Sequence, residues 1–164
     1  MARRIRIAPA ESPAAIETAR SLMREYAASL GVDLCFQAFE AELAGLPGAY
    51  AAPAGALLLA EVDGEIAGCG AMRPWGEGGS EMKRVYVRPA LRGLGLGRAL
   101  AQALIERAQA AGHGFMLLDT LPQLETARQL YLSLGFRPVP RYNDNPIPGV
   151  HFLRADFHEG ATRR

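Results

Sequence analysis

Residues 88–98 read Arg-Pro-Ala-Leu-Arg-Gly-Leu-Gly-Leu-Gly-Arg and join a strand-like segment directly to the start of a helix-like one. Three alternating glycines at that junction let the backbone approach a ligand closely and turn successive N–H groups toward it, while the helix start adds partial positive charge. Such a turn is a cradle for a pyrophosphate or another oxyanion, and Arg92 and Arg98 flank it as sources of charge-assisted hydrogen bonds. Two other phosphate-binding loops are excluded by spacing. A P-loop ends in Gly-Lys followed by Ser or Thr, whereas this chain has Gly97-Arg98-Ala99. A dinucleotide fingerprint needs G-x-G-x-x-G, whereas after Gly93, Gly95 and Gly97 the next glycine is Gly112.

The rest of the chain supplies what such a turn needs. With 164 residues, 49% hydrophobic and 21% charged, it has the makeup of one folded domain, residues 1–164, with a frayed tail over 159–164. Residues 4–7 alternate as an edge strand, and Ser12-Pro13 supplies an N-cap and a first-turn proline for a helix ended by Gly31. Phe36, Phe39, Leu43 and Leu46 suggest a second helix closed by Pro47-Gly48. Residues 56–62 and 65–73 form a hairpin around Asp63-Gly64. A strand over 81–87 precedes the glycine turn, and a helix follows to Gly112. The continuous apolar run 115–120 reads as a buried strand, then come a helix carrying Ala127, Leu130, Tyr131 and Leu134, a short strand at Phe136, a Pro/Asn-rich loop over 138–149 and a last strand at 150–156. This order describes one mixed α/β, or α+β, sheet with helices on its faces.

Charge and composition narrow the function. A net charge of +1 gives no global case for nucleic acid or an anionic membrane, and no apolar stretch approaches the ~20 residues that span a bilayer. The basic N-terminus lacks an apolar core after it, so the expected location is cytoplasmic. Cys35 and Cys69 lack metal or CxxC spacing, His113, His151 and His158 have no partners at ligand spacing, and no metal is expected. Of 18 basic residues only Lys83 is a lysine.

Arg92-x-x-Gly95-x-Gly97, preceded by Glu81-Met-Lys-Arg-Val-Tyr-Val87 and Arg88-Pro89, resembles the acyl-CoA-binding motif of the GNAT superfamily of N-acetyltransferases. The likeness extends over most of the chain, through the hairpin, the 115–120 strand and the segment 127–136, and the run Tyr142-Asn-Asp-Asn-Pro-Ile-Pro-Gly149 is similar to a bacterial branch whose substrates are largely unassigned. The resemblance implies a single, mostly antiparallel sheet of about seven strands, splayed between strands 4 and 5, with helices on both faces. It implies acetyl-CoA as co-substrate, with the N–H groups of Gly93, Leu94, Gly95, Leu96, Gly97 and Arg98 on its pyrophosphate and the backbone of Val85, Tyr86 and Val87 along its pantetheine arm.

Moving an acetyl group from a thioester to an amine requires a neutral amine, a polarised carbonyl and a protonated leaving thiolate. By resemblance Glu81 is the candidate base, directly or through water, although a glutamate at a strand end is also a common solvated residue. Tyr131 is the candidate acid, and its alternative is a core tyrosine sharing a face with Ala127 and Leu134. A backbone N–H near Val85 would polarise the carbonyl, and a bulge in that strand would change which side chains face the site. Arg73, Trp75 and Arg141 are candidates for the acceptor site. The expected reaction is direct transfer to a primary amine of a small molecule or peptide, with a homodimer possible; a non-catalytic acyl-CoA-binding module and a protein amine as acceptor stay open.

Overall fold

In a computed structural model describing residues 2–31 and 38–157, seven strands form one sheet in the order β1-β2-β3-β4-β5-β7-β6. The strands are β1 (Ile5–Pro9), β2 (Ala56–Val62), β3 (Glu65–Trp75), β4 (Gly79–Val87), β5 (Phe115–Thr120), β6 (Arg137–Pro138) and β7 (His151–Asp156). All neighbours are antiparallel except β4 and β5, which run parallel. Four helices cover the two faces: α1 (Pro13–Leu30), α2 (Phe39–Ala44), α3 (Leu96–Ala110) and α4 (Glu125–Ser133).

Local chemistry accounts for the elements. Ser12 Oγ accepts the Ala15 N–H at 3.1 Å, Pro13 opens α1, and Gly31 closes it in the left-handed region at φ 66°. Ala19, Leu22 and Met23, at helical spacing, are the buried stripe of α1. Strand alternation then sorts the core into two layers. Leu58 and Ala60 of β2 pack with Leu100 and Leu104 of α3, whereas Leu57 and Leu59 pack with Leu22 of α1 and Leu43 of α2.

Two expected boundaries shift. β3 continues through Pro74 to Trp75, past the expected end at residue 73, and β4 begins at Gly79. β2 pairs with β3 only as far as Met72, so Pro74 lies where β3 has β4 on one side and no strand on the other, and its missing N–H costs no ladder bond. Arg73 and Trp75 are therefore strand residues. The second helix is shorter than expected, with Leu46 beyond its end; the expectations at Phe36, Cys35, His158 and the tail fall outside the described residues.

The feature that positions the site is the separation of β4 from β5. They pair only over residues 79–81 against 115–117, and beyond that the β5-facing side of β4 has no strand partner. Gly79 sits at the root of this fork: a Cβ there would lie 2.1 Å from the Phe115 ring, so a larger residue fits where the two strands meet only if that ring moves aside.

Candidate active site

The glycine turn lies beside the open side of β4. Gly93 and Gly95 take φ of 86° and 83°, and a Cβ built on either meets nothing within 4 Å, so the turn borders open space. Gly95 is the N-cap of α3 with no side chain capping it, and the first helical bond is Ala99 N–H to Gly95 C=O at 3.0 Å. The N–H groups of Leu96, Gly97 and Arg98 are thus not spent within the helix. Leu96 is buried and anchors the turn to the core. Arg92 donates to the Val87 carbonyl at 3.0 Å and Arg98 to Ser133 Oγ at 2.8 Å, which holds both guanidinium groups at the rim.

A β-bulge divides β4. Tyr86 faces Cys69 and Lys83 faces Ala71, so two residues, Arg84 and Val85, oppose Gly70 alone. Arg84 takes φ 62°. Met82, Val85 and Val87 belong to the layer under α3, whereas Tyr86 packs on the other side with Cys69 and Ala71. Through the bulge the consecutive Lys83 and Arg84 both reach the α1/α2 side, where Arg84 makes a bidentate pair with Glu42 at 2.9 and 2.9 Å and stacks over Phe39. Burial pushes the Glu42 carboxyl upward, but the Arg84 hydrogen bonds and charge outweigh it and hold it below the usual range.

Two cavities meet beside this strand. A narrow slot of about 60 Å³ lies in the fork, between Met82, Lys83 and Val85 of β4, Leu118 of β5, and Ala127 and Tyr131 of α4. A wider cavity of about 390 Å³ is walled by Glu42, Arg73, Trp75, Lys83, Asp119 and residues 142–145. Lys83, Asp119 and Asn145 line both.

The candidate residues distribute unequally around these spaces. Tyr131 is in the slot, its ring edge-on to Phe136 at 5.9 Å, and burial raises its hydroxyl well above the ordinary tyrosine range. Arg73 and Trp75 line the wide cavity, with the guanidinium 5.3 Å from the indole centroid. Glu81 is fully buried, at 0% exposure, and lines neither space. Its Oε1 accepts from Arg73 Nε and Nη2 at 2.9 and 2.8 Å, and its Oε2 accepts from the Tyr142 hydroxyl at 2.7 Å. Burial works against the Arg73 charge, but Glu81 more than compensates and the guanidinium is held the more firmly protonated. Arg141 lines neither cavity; it donates to the carbonyls of Asn143 and Asn145 and covers the Phe152 ring at 5.0 Å.

The loop over residues 141–145 supplies what the sequence reading did not assign. Tyr142 stands edge-on to both Trp75 and Phe152, at 5.3 and 5.5 Å, and points its hydroxyl at Glu81. Asn143 and Asn145 both donate through Nδ2 to Asp119 Oδ2, at 2.8 and 3.1 Å, fastening the loop across the end of β5. The signal for these roles was present in the run Tyr142-Asn-Asp-Asn-Pro, but the residues it grips are 24 to 61 positions away.

A fork between two parallel strands, with an uncapped glycine turn at one end and a polar cavity at the other, makes up the candidate site. The sequence model of the acetyltransferase (GNAT) family matches residues 17–136, and the chain belongs to that family. It is 40% identical over 155 residues to an uncharacterized N-acetyltransferase of Schizosaccharomyces pombe, an alignment covering 93% of this chain and 95% of the relative. An uncharacterized N-acetyltransferase of Escherichia coli is 31% identical over 132 residues, covering 79% and 78%. Among solved structures, an acetyltransferase from Salmonella typhimurium with its cofactor acetyl-CoA shares the fold at TM-score 0.71 and 23% identity, covering 94% of this chain and 95% of that one. No helix among the described residues is long and apolar enough to cross a membrane.

Proposed function

We propose that this protein transfers the acetyl group of acetyl-CoA to a primary amine of a small molecule or peptide, directly and without an acyl-enzyme. The observation that carries the reading is the meeting of the slot with the wide cavity at Lys83, Asp119 and Asn145: a thioester lying in the fork and an amine entering from the cavity come together there. The acetyl-CoA bound to the Salmonella typhimurium relative supports the co-substrate. The residues here suit it. Gly93, Leu94, Gly95, Leu96, Gly97 and Arg98 form a turn bordering open space whose N–H groups suit a pyrophosphate, Arg92 stands beside them on the Val87 carbonyl, and the backbone at Val85, Tyr86 and Val87 runs along the side of β4 that no strand covers, where an extended arm would lie. About 390 Å³ falls within the usual size of small-ligand sites.

Tyr131 gives its proton to the leaving thiolate. Its raised pKa keeps the hydroxyl protonated through the alkaline range, so it stays a competent donor there. Glu81 holds Arg73 and Tyr142 in the cavity wall through its two engaged oxygens.

The test is calorimetric titration with acetyl-CoA, then CoA release over a panel of amines, amino acids and peptides. Binding with release for one amine class supports the reading. Binding without release for any acceptor would favour a non-catalytic acyl-CoA-binding module, and absence of binding would overturn both. Tyr131→Phe is expected to lower kcat by roughly 10- to 100-fold at every pH up to about 10 while leaving acetyl-CoA affinity within about twofold.

A further inference from the structure

Resting on the transferase reading above, we infer that the acceptor is a free amino acid, its carboxylate gripped by Arg73 while its amine lies at the junction of the wide cavity with the slot. Arg73 opposes Glu81 across β3 and β4 and gives Nε and Nη2 to a single oxygen, Oε1, at 2.9 and 2.8 Å. A guanidinium has a second edge, formed by Nη1 and the other Nη2 hydrogen, whose two parallel N–H groups match the oxygens of a carboxylate. That edge takes no part in the pair, and among the described residues Nη1 donates to no acceptor. Glu81 is sealed at 0% side-chain exposure, whereas the Arg73 side chain keeps 32% and lines the wide cavity. The indole of Trp75 lies 5.3 Å from the guanidinium carbon, and Tyr142 braces that indole edge-on. The fork is thus fixed before a ligand arrives, which spares the ordering cost that a flexible surface arginine would carry.

Strand register sets the length of a molecule that can reach both Arg73 and the junction. Arg73 pairs with Glu81 and Ala71 with Lys83, so Arg73 and Lys83 are diagonal neighbours, about 7–8 Å apart at the backbone. Lys83 lines the slot as well as the wide cavity, so a single diagonal step separates Arg73 from the place where amine and thioester meet. A carboxylate and an amine that bridge this gap belong to one small molecule, a few bonds apart. In an extended peptide each further residue carries the terminal carboxylate about 3.5 Å away, so the match is lost within the first one or two.

The charges of the cavity suit a zwitterion. Arg73 and Lys83 are its cations, and Glu42, Asp119 and Asp144 its anions. Glu42 is held bidentately by Arg84, while Asp119 lies at the junction, where the acceptor arrives as an ammonium. A simple alkylamine has nothing to offer the outer edge of Arg73, and a carboxylic acid without an amine has nothing to offer Asp119. An amino acid meets an opposite charge at each of its poles.

The test measures CoA release at saturating acetyl-CoA for a panel of free amino acids, each beside its amide and the amine left when its carboxyl group is removed. For the preferred amino acid, kcat/KM is expected to exceed that of the amide and of the decarboxylated amine by about 100-fold, most of it in KM. Arg73→Lys keeps a cation on the buried Glu81 but has no fork, and should cut that ratio to about tenfold or less. If Arg73 did no more than hold the wall, the same variant would lower activity on acid and amide alike and leave the ratio where it was. A ratio kept in full by Arg73→Lys therefore overturns the inference, as does use of the amide or of a peptide within about threefold of the free acid. Trp75→Leu removes the ring beside the guanidinium and spares the ion pair, so it decides the matter if the lysine variant does not fold: the ratio should fall about threefold, and an unmoved ratio overturns the assignment to Arg73. If the wild type binds acetyl-CoA but releases CoA with no amine, the transferase reading falls, and the acceptor class with it. Release with plain amines as readily as with amino acids removes the acceptor class alone.

Discussion

The turn at residues 93–98 and the wall made by residues 141–145 serve the same strand from opposite ends, and they present groups of different kinds. The turn offers main-chain N–H groups, and its side chains are nothing more specific than Gly and Leu between two arginines. The wall offers a tyrosine hydroxyl, two amides and a guanidinium, each held by a partner from another element. A backbone cradle must be written in contiguous glycines, so it leaves a spacing in the sequence. A side-chain wall is assembled from α2, β3, β4, β5 and the loop before β7, so it leaves none.

The comparison can be broken by asking which half each substitution disturbs. The largest effect is expected at Arg73→Met, which leaves the fully buried Glu81 carboxylate without its cation. Stability should fall by about 3 kcal/mol in urea denaturation, with acetyl-CoA affinity of the folded protein within about twofold of wild type. A loss below about 1 kcal/mol would mean that the ion pair does not anchor the wall. Gly95→Glu strikes the other half. It puts a side chain at φ 83° and a negative charge against the proposed pyrophosphate, and should weaken acetyl-CoA binding about 100-fold by calorimetry while the wall stays intact. Unchanged affinity would remove the cradle assignment.

A smaller, pH-dependent effect sharpens the contrast. Because the folded-state pKa of Glu42 is depressed, its contribution to stability is present above the unfolded carboxyl pKa of ~4.3 and is lost as pH falls through the folded value. Glu42→Gln should therefore cost about 2 kcal/mol at pH 7, with the gap to wild type closing as acid protonates Glu42 in the parent. A gap that persists unchanged in acid would show that the Arg84 pair is not its source.

How much could be read beforehand follows the same division. The Asp63-Gly64 hairpin was legible because both turn residues need positive φ, and they take 52° and 83°. The α1 cap, the glycine turn and the separation of β4 from β5 were legible from local pattern or from family resemblance. The burial of Glu81 was not: near a strand end it reads as solvated, and what encloses it are Arg73, eight residues earlier, and Tyr142, 61 residues later. The extension of β3 through Pro74 was hidden for a related reason, since proline is tolerated there only because β2 has already ended.

The extra residue in β4 also sets limits on how this site changes over generations. Before it, odd-numbered side chains such as Glu81 and Lys83 face the α1/α2 side; after it, even-numbered ones such as Tyr86 do. Losing a single codon at 84 or 85 would restore strict alternation with Met82 and Val87 still on the α3 side and Tyr86 still on the other, and what it would remove is the Arg84–Glu42 pair, because Arg84 would be lost or turned to the α3 side. The extra residue is therefore tied to the α2 contact at Glu42 and not to the facing of the rest of the strand. The loop over 139–149, by contrast, is held by the Val139 N–H on the Phe152 carbonyl and by its side-chain grips on Glu81 and Asp119, so between those points a change of sequence or length would reshape the wide cavity.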